Sequence, residues 1–145
     1  KTTVVTRLVS ELQRVGLSVG VVKSDKHGFH MDHEGTDTDL AYKAGANAVA
    51  IAGPNETAIR IRTKEQSSLY DLTQHMPVDI VILETRSQGI APIIEVTQEG
   101  HTEELISDAM DRVATIEIDK LDQDVPELVR HIQEMMRCLH GRRYC

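Results

Sequence analysis

Three stretches of this 145-residue chain carry side chains able to do chemistry at informative spacing. The first is Lys1-Thr2-Thr3, running directly into apolar positions Val4, Val5, Leu8, Val9, Leu12 and Val15. An amine followed by hydroxyls at the start of an amphipathic helix matches the end of G-x-x-x-x-G-K-[ST]. In that motif backbone N–H groups cradle phosphates, the Lys reaches the outer ones and the hydroxyl holds magnesium. The alternative is an ordinary helix start. The second is Val78 to Thr85, an apolar run delivering the carboxylate of Glu84 to a loop. Such an acid orients a magnesium-bound water or the attacking nucleophile, unless it merely ends a buried strand. The third is the loop from Asp25 to Asp39, crowded with Asp25, His27, His30, Asp32, His33, Glu34, Asp37 and Asp39. It reads as a transition-metal site on His27, His30 and His33, as a switch-like loop whose acid reaches a nucleotide-bound magnesium, or as a solvated acidic loop.

The elements needed to position these groups alternate between helix and strand. A helix over Thr2 to Val15 stops at Gly16, a suitable left-handed cap. The Val-rich run Leu17 to Lys23 suits a strand buried on both faces of a parallel sheet. The polar loop that follows leaves the carboxyl end of that strand, where open α/β sheets bind ligands. A short helix is expected with Asp37 as N-cap and Gly45 after its end. Asn47–Ala52 and Thr57–Arg62 form two strands around a Gly53-Pro54-Asn55-Glu56 turn, the second alternating Ile with Arg. A short helix over Ser67–His75, the strand over Val78–Thr85 and a short strand over Pro92–Val96 follow. A helix from Thr102, a strand over Ala114–Ile118 and a last helix beginning with a capping-box-like Asp124-Val125-Pro126-Glu127 complete the chain. The whole predicts one α/β domain over residues 1–145, with a mostly parallel sheet and an antiparallel hairpin. The strand and Gly-rich loop belonging to the Lys1 motif are expected ahead of residue 1, because the chain begins on Lys rather than Met.

Composition narrows the function classes. A formal charge of −7 disfavours nonspecific contact with nucleic acid or anionic membranes. The absence of Trp and the single Phe leave little for stacking on single strands. No apolar run approaches the roughly 20 residues of a membrane span. Cys138 and Cys145 frame no disulfide scaffold, which points to a reducing cytoplasm.

Val21-Val22-Lys23-x-Asp25-x-His27-Gly28, then Met31-Asp32-x-x-Gly35-x-Asp37, then Ala44-Gly45-Ala46, complete an ordered pattern with Lys1-Thr2-Thr3 and the strand ending on Glu84. This order resembles the MobB family of molybdopterin-guanine dinucleotide biosynthesis adapters, small P-loop (Walker A) proteins. The match is good from Lys1 to about Glu84 and looser after Pro92. The resemblance implies a P-loop NTPase-like three-layer fold, binding of GTP with Mg2+, a homodimer, at most weak GTPase activity, and a molybdopterin guanylyltransferase as partner. Carried over, Lys1 contacts the outer phosphates and Thr2, with Thr3 beside it, the magnesium. Asp32 is the switch-loop acid near the metal, Glu84 the catalytic and metal-side acid, and Lys23 and His27 contact cofactor or partner. The chain departs from the family where Glu84-Thr85-Arg86-Ser87-Gln88-Gly89 replaces Glu-Gly-Phe-Lys, and where Ser24 replaces the first imidazole. It has no guanine-selecting N-K-x-D motif, so GTP over ATP rests on the resemblance. A different class, a metal-delivery module on His27, His30 and His33, stays open from sequence, as does an interaction domain that has lost its ligand.

Overall fold

The computed structural model describes residues 2–85, 91–98 and 111–141. The chain divides into two compact units, Lys1–Lys23 with Leu69–Cys145, and Ser24–Ser68.

In the first unit, helix α1 (Thr2–Arg14) buries Val4, Leu8 and Leu12, one stripe at helical spacing. It ends as its sequence demands: Gly16 takes φ 88°, and the Leu17 amide returns to the Leu12 carbonyl at 3.1 Å. The chain then reverses into strand β1 (Val19–Lys23), which pairs in parallel with β4 (Ile80–Glu84). Helix α3 (Leu69–Thr73) precedes β4. A polar clamp fixes how these strands enter the sheet. The Asp79 carboxylate accepts from the Ser18 amide at 2.8 Å and from the Ser18 hydroxyl at 2.6 Å. In return the Asp79 and Ile80 amides donate to the Ser18 carbonyl, each at 3.2 Å. From that start the register runs Val19↔Ile80 to Lys23↔Glu84. Gly20 allows close approach of the segment entering β4, since a Cβ there would lie 2.8 Å from Met76 Sδ and 3.2 Å from Val78 Cγ2.

A second parallel pair, β5 (Ile93–Thr97) with β6 (Arg112–Glu117), belongs to the same unit. The β6 chain continues through a 3-10 turn (Ile118–Lys120) into the long helix α4 (Leu121–Gly141). Ile116 of β6 and Val125, Leu128, Val129 and Ile132 of α4 join the α1 stripe in one core, with Val19, Ile80, Ile82, Ile94 and Val96 packed against it. Both parallel pairs thus contribute side chains to a common core, although among the described residues they share no hydrogen-bonded strand neighbour.

Two sequence expectations are corrected in this unit. The last helix starts one turn before Asp124, because the 3-10 turn feeds straight into it. Asp124 lies inside the first turns and its carboxylate accepts from the Glu117 amide at 3.1 Å. The run Leu17–Lys23 is buried on one face only in part: Val22 is buried, whereas Val21 is exposed. The helix expected from Thr102 lies outside the described residues.

The second unit holds the polar loop, helix α2 (Asp37–Lys43) and the antiparallel hairpin β2 (Ala48–Ala52) with β3 (Thr57–Ile61). The N-cap of α2 is Thr36 rather than Asp37: its side chain accepts from the Asp39 amide, and its φ and ψ of −70° and 160° are those of an extended cap. Gly45, at φ 112°, closes the helix as its sequence predicts. The hairpin turn is held by the Gly53 amide on the Glu56 carbonyl at 2.8 Å. The hairpin is a sheet of its own, not a patch on the parallel pairs. Register places Ala48 beside Ile61 and Ala50 beside Ile59 on one face, and Val49 beside Arg60 on the other. The faces are inverted relative to a soluble amphipathic hairpin. Ile59 and Ile61 are 61% and 64% exposed, whereas Arg60 is half-buried with its guanidinium carbon 3.7 Å from the centre of the Tyr42 ring of α2.

Candidate functional site

The alternation of β1 puts Val19, Val21 and Lys23 on one face, and that of β4 puts Ile80, Ile82 and Glu84 on the same face. Of these, Val19, Ile80 and Ile82 pack against the core formed with α1. Lys23 and Glu84 are register partners in the last rung of the parallel ladder. They meet at the carboxyl end of the strands, where open α/β sheets bind ligands. Helix α1 leads into β1 through the reversal at Gly16. Thr2 and Thr3 at its start are exposed, and its first turn carries no acidic residue. Free helix N–H groups and an uncompensated positive dipole end make such a terminus receptive to phosphate.

The first unit thus pairs Lys23 with Glu84 and holds Thr2 and Thr3 at the start of α1. Lys23 is exposed, Glu84 is half-buried, and among the described residues they form no ion pair with each other. Lys1 lies outside the described residues. By their chemistry a carboxylate and a hydroxyl suit a hard cation, and an amine and helix amides suit phosphate oxygens. Sequence reading passed over Thr97, the last residue of β5 and 8% exposed, whose hydroxyl has no hydrogen-bond partner among the described residues. A Thr ending a short strand gives no signal in sequence, and its unpaired hydroxyl appears only in three dimensions.

His27 and Asp32 belong to the second unit. Both Asp32 oxygens are engaged locally, one by the His33 amide at 2.8 Å and the other by the Thr38 hydroxyl. These bonds, the Thr38 hydroxyl first and then that of Thr36, hold its carboxyl below the ordinary Asp value. Asp39, buried at 7% exposure, bonds Lys43 Nζ at 2.8 Å and the Gly35 amide at 3.0 Å. Lys43, then Gly35, hold its carboxyl low, while Asp39 and then Glu34 raise the Lys43 amine. The acids of the loop thus form its internal scaffold around Gly35 (φ 84°). His27, His30 and His33 are exposed, and among the described residues no group of three or more His, Cys, Asp or Glu side chains is disposed to hold a metal ion. The transition-metal reading of the loop gains no support from this geometry.

Comparison with known proteins shows the family and the fold. Residues 1–119 match the family model described as "Molybdopterin guanine dinucleotide synthesis protein B", MobB. The chain belongs to the MobB family. A Haemophilus influenzae relative named "Molybdopterin-guanine dinucleotide biosynthesis adapter protein" is 30% identical over 154 aligned positions, covering 99% of this chain and 86% of that protein. Among solved structures, a molybdopterin-guanine biosynthesis protein B superposes with a TM-score of 0.65 at 23% identity, covering 92% of this chain and 91% of its own. Bacillus subtilis MobB does so with a TM-score of 0.59 at 21% identity, over 92% and 89%. These likenesses establish the MobB fold, α/β with parallel strand pairs and P-loop NTPase-like. Among the described residues no helix is long and apolar enough to cross a membrane.

Proposed function

We propose that this chain is a GTP-binding adapter in molybdenum cofactor biosynthesis, assisting formation of molybdopterin guanine dinucleotide. The observation that carries the nucleotide reading is the pairing of Lys23 with Glu84 at the carboxyl end of β1 and β4. In this reading the amides of the first turn of α1 and Lys1 bind the phosphates, and the hydroxyl of Thr2, beside Thr3, takes a magnesium position. Glu84 would accept a hydrogen bond from a water and orient it. Lys23 adds positive charge where phosphate charge gathers. Magnesium, when bound, supplies charge neutralisation between phosphate oxygens. Positioning without a placed arginine finger supports at most weak GTP hydrolysis. Asp32 as a metal-side acid and His27 as a cofactor or partner contact extend the proposal on sequence resemblance.

The partner class is the guanylyltransferase that joins the nucleotide to molybdopterin, and the compartment is the cytoplasm. A homodimer belongs to the same reading. The exposed strip of Ala48, Ala50, Ile59 and Ile61 is an apolar sheet face that a second copy would bury.

Isothermal titration of the full-length protein with GTP, with and without magnesium, tests the proposal. Magnesium-dependent binding that falls at least about tenfold in Glu84→Gln and Lys23→Ala is expected, each removing one charge-assisted contact. Undetectable GTP binding would sink it.

A further inference from the structure

Arg60 and Arg62 stand two residues apart at the end of β3 and point to the same side of the hairpin. Both guanidinium groups are held against one ring, their carbons 3.7 and 4.1 Å from the centre of Tyr42. Stacking of this kind takes up the π face of a guanidinium and leaves its in-plane N–H groups free. Arg62 is further anchored: its amide donates to the Asn47 carbonyl at 2.8 Å and its Nη2 to the Tyr42 carbonyl at 2.8 Å. An Arg carries five N–H donors. Among the described residues Arg62 uses one of them, and Arg60 has neither a side-chain hydrogen bond nor an ion pair. The nearby acids are already committed, Asp39 and Glu34 to Lys43 at 2.8 and 3.2 Å. Two cations are thus kept side by side and pre-oriented, Arg60 within the electrostatic reach of Asp39 but neither guanidinium in an ion pair among the described residues, in a chain whose formal charge is −7. A half-buried guanidinium with unused donors calls for an acceptor, and its planar fork fits the paired oxygens of a phosphate.

We propose that Arg60 and Arg62, stacked on Tyr42, form an anion clamp that binds phosphate oxygens of a phosphate-bearing substrate or of the dinucleotide product. This rests on the dinucleotide-synthesis reading above, because a dinucleotide is joined through phosphates. It assigns to the hairpin unit a ligand contact separate from the residues Thr2, Lys23 and Glu84. The ring does the positioning, and the two guanidinium forks do the binding.

The test uses inorganic pyrophosphate as the probe, with the arginine Nε–H resonances of the isotope-labelled full-length protein as the readout. Saturable shifts of the Arg60 and Arg62 signals are expected. Affinity should fall at least about tenfold in Arg60→Gln and in Arg62→Gln. Arg60→Lys should restore little, since it keeps the charge but loses the fork, and Tyr42→Phe should retain binding because the ring, not the hydroxyl, holds the cations. No saturable shift, affinity unchanged in both Gln variants, or binding of a tetraglutamate peptide in place of pyrophosphate would overturn the clamp. GTP titrations on the same samples separate the two ideas. A missing arginine shift with intact GTP binding removes the clamp alone, and an intact shift without GTP binding removes the nucleotide reading alone.

Discussion

The two units of this chain solve the problem of an amphipathic element in opposite ways. In the parallel unit the apolar stripe of α1 and the core positions of β6 and α4 are turned inward: Leu12, Ile116 and Val125 are essentially inaccessible, and the charged Lys23 and Glu84 finish the β1–β4 ladder. In the hairpin unit the apolar face of Ile59 and Ile61 faces outward, and the charged face is folded against Tyr42. One unit is held by hydrophobic burial. The other is held by hydrogen bonds and ion pairs among Asp32, Thr36, Thr38, Asp39 and Lys43, and leaves Ile59 and Ile61 exposed. The same sequence pattern, alternation of Ile with Arg, therefore says that a strand is two-sided without saying which side is inside.

The contrast can be broken most forcefully in the parallel core. Leu12→Ala should lower unfolding free energy by about 2–5 kcal/mol in denaturant titrations, because a fully buried side chain leaves a cavity. A loss as small as that of a surface substitution would mean this core does not carry the unit. Next comes the clamp that sets strand register. Asp79→Ala removes the acceptor of the Ser18 amide and hydroxyl, and should cost about 1–2 kcal/mol by the same measurement.

The hairpin unit should instead answer to pH. The lowered Asp32 and Asp39 carboxyls contribute stability that is present above the ordinary carboxylate range and lost as pH falls through their lowered folded-state values. The raised Lys43 contributes below the ordinary Lys range and loses its share as pH rises through its raised value. Hydrogen exchange of the α2 amides should therefore be slow across neutral pH, once intrinsic exchange rates are divided out, and lose protection first at acid pH. Equal acid sensitivity of α1 and α2 would erase the distinction.

The smallest effect on folding is expected at the exposed strip. Ile59→Thr with Ile61→Thr should change monomer stability by no more than about 0.5 kcal/mol for each substitution. Sedimentation analysis should nevertheless show weakened self-association. An unchanged association state would remove the strip from the dimer proposal.

Much of the parallel unit was legible in the sequence because its signals are local and redundant. Helical spacing from Val4 to Leu12, the stop at Gly16, and apolar runs ending on Lys23 and Glu84 agree with one another at every level. The ladder that makes Lys23 and Glu84 neighbours was not legible, since it depends on the Ser18–Asp79 clamp between residues distant in sequence. In the loop, the crowd of acids and histidines drew attention toward metal chemistry. Asp39, whose bonds with Gly35 and Lys43 shape the loop, stood out no more than its neighbours. The inversion of the hairpin was hidden for the reason given above: period-2 patterning does not name the buried face, and here Tyr42 of α2 supplies the ring against which Arg60 is half-buried.

The central claim is that the carboxyl edge of β1 and β4, with the start of α1, is a nucleotide site. The most direct measurement is magnesium-dependent GTP affinity of the full-length protein with Glu84 intact and as Glu84→Gln, with folding checked by the thermal transition. The account predicts saturable binding that needs magnesium and weakens about tenfold or more in the variant, at an unchanged melting temperature. Equal affinity in the two proteins, or binding indifferent to magnesium, would contradict it.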